Sequence, residues 1–230
     1  MKIFTIRSQN SLNDEQFLEF LNVVEEDYQK KIQAYRFWED RKRSLLGQLL
    51  ARYAIMQALS VDNNAIKILQ NRYGKPYLKG YDNIQYNISH SGVWVVCAVS
   101  PFNIGIDVQE HKGAKSELAS HFFSPQEKEF LFSLQKDAQK TTFYDMWSLK
   151  EAYIKAIGKG LFQPLDEFSV VKEEGGFRQA IRKNEEETYF FKQYQLEKNY
   201  SLAVCSQEQN FCPGLEELTI DDLKLLFQKS

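Results

Sequence analysis

The 230-residue sequence has no apolar run that could cross a bilayer as a helix. Its longest, VWVVCAV from Val93 to Val99, falls far short of the roughly 20 residues such a span needs. Cysteine is scarce: Cys97, Cys205 and Cys212 are odd in number and show no C-x-x-C spacing. That suits reduced thiols in a cytosol better than a disulfide framework or a zinc site. Cys97 and Cys205 fall in strand-like runs and are expected to pack in a core. Neither sign of charge dominates: 29 Lys and Arg stand against 31 Asp and Glu, a net charge of −2. No overall field draws nucleic acid or an anionic membrane, so any anion site must be local. The opening MKIFTIRSQN alternates like a strand and breaks at Arg7 and Ser8, without the continuous apolar stretch of a signal peptide. Export is not expected, and a cytoplasmic protein is.

What the chain does have is core material, with 43% hydrophobic and 14% aromatic residues. Between Asn13 and Ala58, apolar positions such as Leu45, Leu46, Leu49, Leu50, Tyr53 and Ala54 recur near the 3.6-residue period, which predicts a long helical layer. NRYGKPYLKGYDN (71–83) reads as loop, and IQYNISHSGVWVVCAVS (84–100) as a hairpin turning at His90, Ser91 and Gly92. NIGIDVQE is a further strand. FFSPQEKEFL starts a helix with Ser124 as cap, Pro125 in the first turn and Glu127 closing a capping box. WSLKEAYIKAIGKGL (147–161) is a helix running into two glycines, and three strands are expected after it, in DEFSVVKEEGGF, ETYFFKQYQL and YSLAVCS. VWVVCAVS and YSLAVCS could close two halves of an internal pseudo-repeat, with a boundary between Pro101 and Gly105.

At 100° per residue, Trp147, Glu151, Lys155 and Gly158 share one helical face, opposite Leu149, Ala152, Tyr153, Ala156 and Ile157. A Glu and a Lys four residues apart are ordinarily a solvated pair contributing about 0.2–0.5 kcal/mol. Here Trp147 and Ile154 border the face, and Gly158 leaves room for a close approach to the backbone. In IGIDVQE the strand period puts Ile104, Ile106 and Val108 on one face and Gly105, Asp107 and Gln109 on the other. One carboxylate from a strand and one from a helix form a set that a hard cation such as Mg²⁺ accepts. Phosphate-type donors lie nearby in sequence: Lys30, Lys31, Arg36, Arg41, Lys42 and Arg43, then Gly74 and Lys75 in YGKP. A basic run of this kind is otherwise a solvated face. Ser89 and His90 are strand neighbours and point to opposite faces, which argues against a histidine-activated serine. His90 is either an anion contact or a buried structural side chain.

Together NRYGKP, YNISHSG, GIDV, FFSPQE and WSLKEAYIKAIGKGL resemble the 4′-phosphopantetheinyl transferases of the surfactin-synthetase-activating (Sfp-like) type, in order and spacing from about residue 28 to 170. The resemblance implies an α+β fold of two similar α/β halves in pseudo-twofold relation, residues 1–103 and 104–230. It also implies a monomer that binds coenzyme A between them. The implied reaction moves 4′-phosphopantetheine from coenzyme A to a serine of an apo peptidyl or acyl carrier protein, Mg²⁺-dependently, releasing adenosine 3′,5′-bisphosphate. By the same resemblance Asp107, Glu151 and Gln109 would face Mg²⁺, and Lys155 the pyrophosphate. Lys31, Arg36, Ser44 and His90 would surround the 3′-phosphate, with Gly74, Lys75, Pro76 and Ser89 at the adenine end. Glu151, directly or through water, or else Glu127, would take the serine proton. Leu161 and Phe162 in GKGLFQPL would meet the carrier.

Two positions depart from the family pattern. Gln109 stands where a third acid is found in members close to the founding enzyme, and Tyr28 where they have a lysine, for which Lys30 could substitute. Weaker Mg²⁺ binding is therefore expected than at a three-acid site. A noncatalytic coenzyme A or carrier-binding module would tolerate Gln109 but would not need Asp107, Glu151 and Lys155. A metal-dependent nucleotide hydrolase would need those three but no carrier ledge. Nonribosomal peptide, polyketide, fatty acid and siderophore carriers all remain compatible.

Overall fold

The computed structural model describes residues 1–9, 12–113, 116–160, 164–173, 176–180 and 188–227. It is an α+β fold built on two main sheets, one mixed and one antiparallel, that share a core between them and meet along one edge. Strand β1 (Lys2–Arg7) is followed by three helices, α1 (Asp14–Leu21), α2 (Glu26–Ala34) and α3 (Trp38–Leu59). The predicted continuous helical layer is thus broken twice. The reason is packing: Phe17, Phe20, Leu21 and Ile32 join the same core as Leu45, Leu46 and Leu49, which one straight rod could not achieve. Asn13 fixes the start of α1 through a capping box with Gln16.

A short ribbon follows, β2 (Ile68–Gln70) with β3 (Pro76–Leu78), inside and beside the stretch read as loop. Next come the predicted hairpin, β4 (Gln85–Ser91) and β5 (Trp94–Ser100), and then β6 (Ile104–Glu110). The hairpin turns at Gly92 and Val93, one residue later than expected, with Gly92 at φ +56°. Helices α4 (Ser116–Phe122), α5 (Pro125–Ser133) and α6 (Lys136–Ile157) precede β7 (Ser169–Glu173), β8 (Gly176–Ala180), β9 (Phe190–Tyr194) and β10 (Tyr200–Ser206). The chain closes with β11 (Glu216–Leu218) and α7 (Ile220–Phe227). Among the described residues no helix is long and apolar enough to cross a membrane.

The first sheet runs β11-β1-β5-β4 and the second β6-β10-β9-β8-β7. Each half repeats one plan. Its first strand (β1 or β6) pairs antiparallel with its last (β5 or β10), which pairs with the strand before it (β4 or β9). A 22-residue helix, α3 or α6, covers the outer face. This explains why VWVVCAVS and YSLAVCS look alike. Both are central strands buried on two faces, and such strands read as continuous apolar runs. Val95, Cys97 and Val99 face α3, whereas Trp94, Val96 and Ala98 meet Ile104, Ile106, Val108, Leu202 and Val204 between the sheets. Cys205 takes the matching place under α6, so both strand cysteines are buried and unpaired.

The two sheets meet along the edges of β4 and β6, where side chains replace the main-chain ladder. Asn87 Oδ1 accepts from Ile106 N (2.9 Å), Ser89 Oγ from Val108 N (3.3 Å) and Ser91 Oγ from Glu110 N (3.0 Å). Every second residue of NISHS thus satisfies an edge N–H that would otherwise be buried unpaired. The end of the chain does not stay with the second half, as a division at residue 104 supposed. β11 pairs parallel with β1, and Leu223 enters the first core. Residues 216–227 return because β1 would otherwise present an open edge.

Candidate active site

Glu151 and Lys155 stand one turn apart on α6, and Asp107 lies beneath them on β6. What brings helix and strand so close is Gly105. A Cβ there would collide with the Ala152 carbonyl and the Ala156 amide, so only glycine allows this contact. Lys155 Nζ then reaches Asp107 Oδ1 at 2.6 Å, Ser89 Oγ at 2.9 Å and Ile106 O at 3.2 Å. Ser89 also donates to Asp107 Oδ1 at 3.0 Å, and Gln109 Nε2 to Asp107 Oδ2 at 2.8 Å. Asp107 is 2% exposed, and its charge is met from β4, β6 and α6 at once.

Glu151 has a raised pKa. Dehydration is the main cause and the Asp107 charge the next, with Lys155 pulling the other way. Trp147, beside it, packs against Phe122 and Phe143, so this face is partly covered, as its borders predict. Two carboxylates that repel in a partly dehydrated cleft form a donor set whose strain a hard divalent cation would relieve, and the Gln109 amide offers a neutral oxygen. The residues therefore fit Mg²⁺ as a two-acid site. Among the described residues no group of three or more His, Cys, Asp and Glu side chains converges on one point.

His90 faces away from Ser89, as strand alternation requires, with Arg43 and Asp40 of α3 near its ring. Its pKa is lowered by the dehydrating walls around the ring and then by the nearby charges of Arg43 and Lys155. Arg43, which sequence reasoning left inside a basic run, is fixed by Asp40 Oδ1 (2.6 Å) and the Gly92 carbonyl (3.1 Å). Its signal was the i, i+3 spacing from Asp40. Other members of that run are occupied elsewhere: Lys42 is buried against Glu39 and Trp38, and Arg41 donates to Tyr35 O. Arg36 lies over the Phe37 ring, and Lys30 forms an exposed pair with Glu26. Lys31 and Tyr28 line a cavity of about 570 Å³ with Glu25, Asp27, Lys67 and Gln70. Ser44 is half-buried on α3.

Lys75 is not free for a ligand: its Nζ donates to Ala156 O, at the end of α6, at 2.7 Å. Gly74, at φ +86°, keeps the loop open beside Pro76. Glu127 is excluded as the base. Its carboxylate accepts from Lys150 Nζ (2.6 Å), Ser124 N (2.9 Å) and Val170 N (3.0 Å) in a site 4% exposed. The capping box that made it conspicuous in the sequence also consumes it. Leu161 and Phe162 lie outside the described residues.

The site therefore joins Asp107 of β6, paired with Lys155 of α6, to Ser89 of the other half, with Glu151 one helical turn away. Residues 11–102 match the family model for the 4′-phosphopantetheinyl transferase N-terminal region, and residues 103–205 that for the 4′-phosphopantetheinyl transferase superfamily. The chain belongs to the 4′-phosphopantetheinyl transferase family. It is 36% identical to a 4′-phosphopantetheinyl transferase of Bacillus subtilis over 97% of this chain and 100% of that one. It is 34% identical, with the same coverage, to 4′-phosphopantetheinyl transferase Sfp of Bacillus subtilis strain 168. The holo-[acyl-carrier-protein] synthase structure of Thermotoga maritima, 19% identical, covers 47% of this chain and 64% of its own at a TM-score of 0.41.

Proposed function

We propose that this chain transfers 4′-phosphopantetheine from coenzyme A to a serine of an apo carrier protein at the seam between its halves. The observation that carries the reading is the contact of Lys155 with Asp107 and Ser89 in a chain of this family.

The serine hydroxyl attacks the phosphorus next to pantetheine. A new O–P bond forms, the pyrophosphate bridge P–O bond breaks, and adenosine 3′,5′-bisphosphate departs. Charge builds on the leaving group and at phosphorus, and preorganised cations are worth most there. Lys155, held by Asp107, Ser89 and the Ile106 carbonyl, would act on that charge through its positive field and would exchange one of these partners to contact it directly. Asp107, Glu151 and Gln109 would hold Mg²⁺, which when bound neutralises pyrophosphate charge. Glu151 is the group that takes the serine proton, directly or through water; burial and the Asp107 charge raise its pKa. His90 and Arg43 would supply the 3′-phosphate side, with Lys31, Arg36 and Ser44 joining them on the family resemblance alone, and the main chain of Gly74, Lys75 and Pro76 with Ser89 the adenine end.

Residues 1–103, with 216–227, would thus form the coenzyme A half, and the remainder the half that carries the acids and meets the carrier through Leu161 and Phe162. The enzyme acts as a cytoplasmic monomer, where reduced Cys97 and Cys205 are at home.

Intact mass of an apo peptidyl carrier domain incubated with the protein, coenzyme A and Mg²⁺ tests this. The expected result is a gain of one phosphopantetheine, abolished by chelator and by Glu151→Ala. Unmodified carriers of several types, with coenzyme A still bound, would overturn it.

A further inference from the structure

The loop 71–76 joins the two strands of the β2–β3 ribbon in the first half, yet its lysine is spent on the second. Lys75 Nζ donates to Ala156 O at 2.7 Å and reaches Ile104 O at 3.5 Å. These atoms belong to the last turn of α6 and the first residue of β6. The carbonyl end of a helix carries partial negative charge, which the ammonium meets. To get there the stem passes Gly158, where a Cβ would stand 2.5 Å from Lys75 Cδ. Gly158 therefore has two duties: it ends α6 at φ +67°, and it leaves the passage open.

The loop is itself rigid. Asn71 Oδ1 accepts from Tyr73 N (2.9 Å) and Lys75 N (3.0 Å), and Asn71 N donates to Lys75 O (2.9 Å). Asn71 Nδ2 then crosses to Gly158 O at 3.3 Å. Two side chains of one short loop thus grip the turn that carries Lys155. The amine is dehydrated enough that its pKa falls to about 8. A lysine held in this way is a fastening, since two of its three donor positions already point at carbonyls.

We propose that Lys75 is a positioning residue that clamps the C-terminal turn of α6 to the coenzyme A loop and so sets Lys155 against Asp107 and Ser89. Substrate held at the adenine end and the catalytic turn then move as one body. The inference rests on the transferase reading above, and its consequence is a separation of effects. Losing the clamp slows the chemical step without weakening the hold on the nucleotide.

Lys75→Met keeps the stem and removes the donors. The expected result is a fall in kcat of about tenfold to hundredfold, because small misplacements of a catalytic group cost that much. The dissociation constant for adenosine 3′,5′-bisphosphate, measured by calorimetry, stays within about twofold while kcat falls, the mark of an interaction used in the transition state. Amide exchange at residues 154–158 should rise in the same variant, a readout independent of activity. Asn71→Ala, which keeps Lys75 but loosens its loop, should reproduce both effects in milder form and serves if Lys75→Met does not fold. A large loss of bisphosphate affinity with kcat preserved would make Lys75 a ligand contact and overturn the clamp. Unchanged exchange at 154–158 would overturn it equally. If the wild-type protein transfers nothing but exchange at α6 still responds to Lys75→Met, the clamp stands and the transferase reading fails.

Discussion

Lys155 Nζ and Asp107 Oδ1 lie 2.6 Å apart, and Ser89 donates to the same oxygen from the other half of the molecule. The ammonium is therefore preorganised before any substrate arrives. Lys155→Met should lower kcat by roughly two to three orders of magnitude, the usual loss when one preorganised donor is removed. It should also lower the unfolding midpoint, because Asp107 is left buried without its cation. Steady-state rates and urea melts of the same preparation check both.

Gln109→Glu should act in opposite directions with and without metal. The amide now donates to Asp107 Oδ2 at 2.8 Å; a carboxylate would remove that bond and add a third negative charge beside Asp107 and Glu151. Without Mg²⁺ the variant is expected to melt lower than wild type. With Mg²⁺ it should gain more in thermal midpoint, and a titration should show tighter metal binding. An equal shift in both proteins would contradict the two-acid description of the site.

His90 gives a pH dependence whose sign is fixed. Dehydration, Arg43 and Lys155 hold its pKa below the ordinary value, so the free ring is neutral at pH 7. A bound phosphate raises that pKa, and binding then takes up a proton. Affinity for adenosine 3′,5′-bisphosphate should rise as pH falls through the window between the higher bound and the lower free pKa. His90→Gln should remove this proton uptake, measured by calorimetry in two buffers of different ionisation enthalpy.

The Lys150–Glu127 pair is buried to 1% and 4% side-chain exposure, with Lys150 also donating to Phe168 O and lying 4.2 Å from the Phe168 ring centroid. Burial lowers the Lys150 pKa against the pull of Glu127. Lys150→Met should destabilise the fold by about 3–5 kcal/mol, since it strands a buried carboxylate. A denaturant midpoint near that of wild type would refute this.

Asn87→Ala removes the acceptor for Ile106 N, whereas Asn87→Asp keeps an oxygen there. The first should lose about 1–3 kcal/mol as a buried N–H goes unpaired, and the second should recover part of it. Urea unfolding of both variants separates this from a simple volume effect.

Sequence reasoning reached α6, Asp107 and the β4–β5 hairpin because each depends on a local signal: helical period, strand alternation, a glycine turn. It missed the breaks between α1, α2 and α3, which exist so that three apolar stripes can meet in one core. It also missed β8 as a strand of its own, and the return of β11 and α7, whose only reason is an open edge on β1 created far away in the chain. Lys75 was read as an adenine-end contact and Glu127 as a rival base because their partners, Ala156 O and Lys150, lie 81 and 23 residues away. A partner at such distance leaves no trace in spacing, whereas Ser89 and Asp107 stood out through their own short motifs.

A main-chain ladder is indifferent to sequence, since any residue but proline can contribute to it. The joint between β4 and β6 is different: its three links are the side chains of Asn87, Ser89 and Ser91. The tie between the two sheets along this edge is therefore written in three codons. A single substitution there removes one tie between the sheets while every strand in both sheets keeps its own pairing.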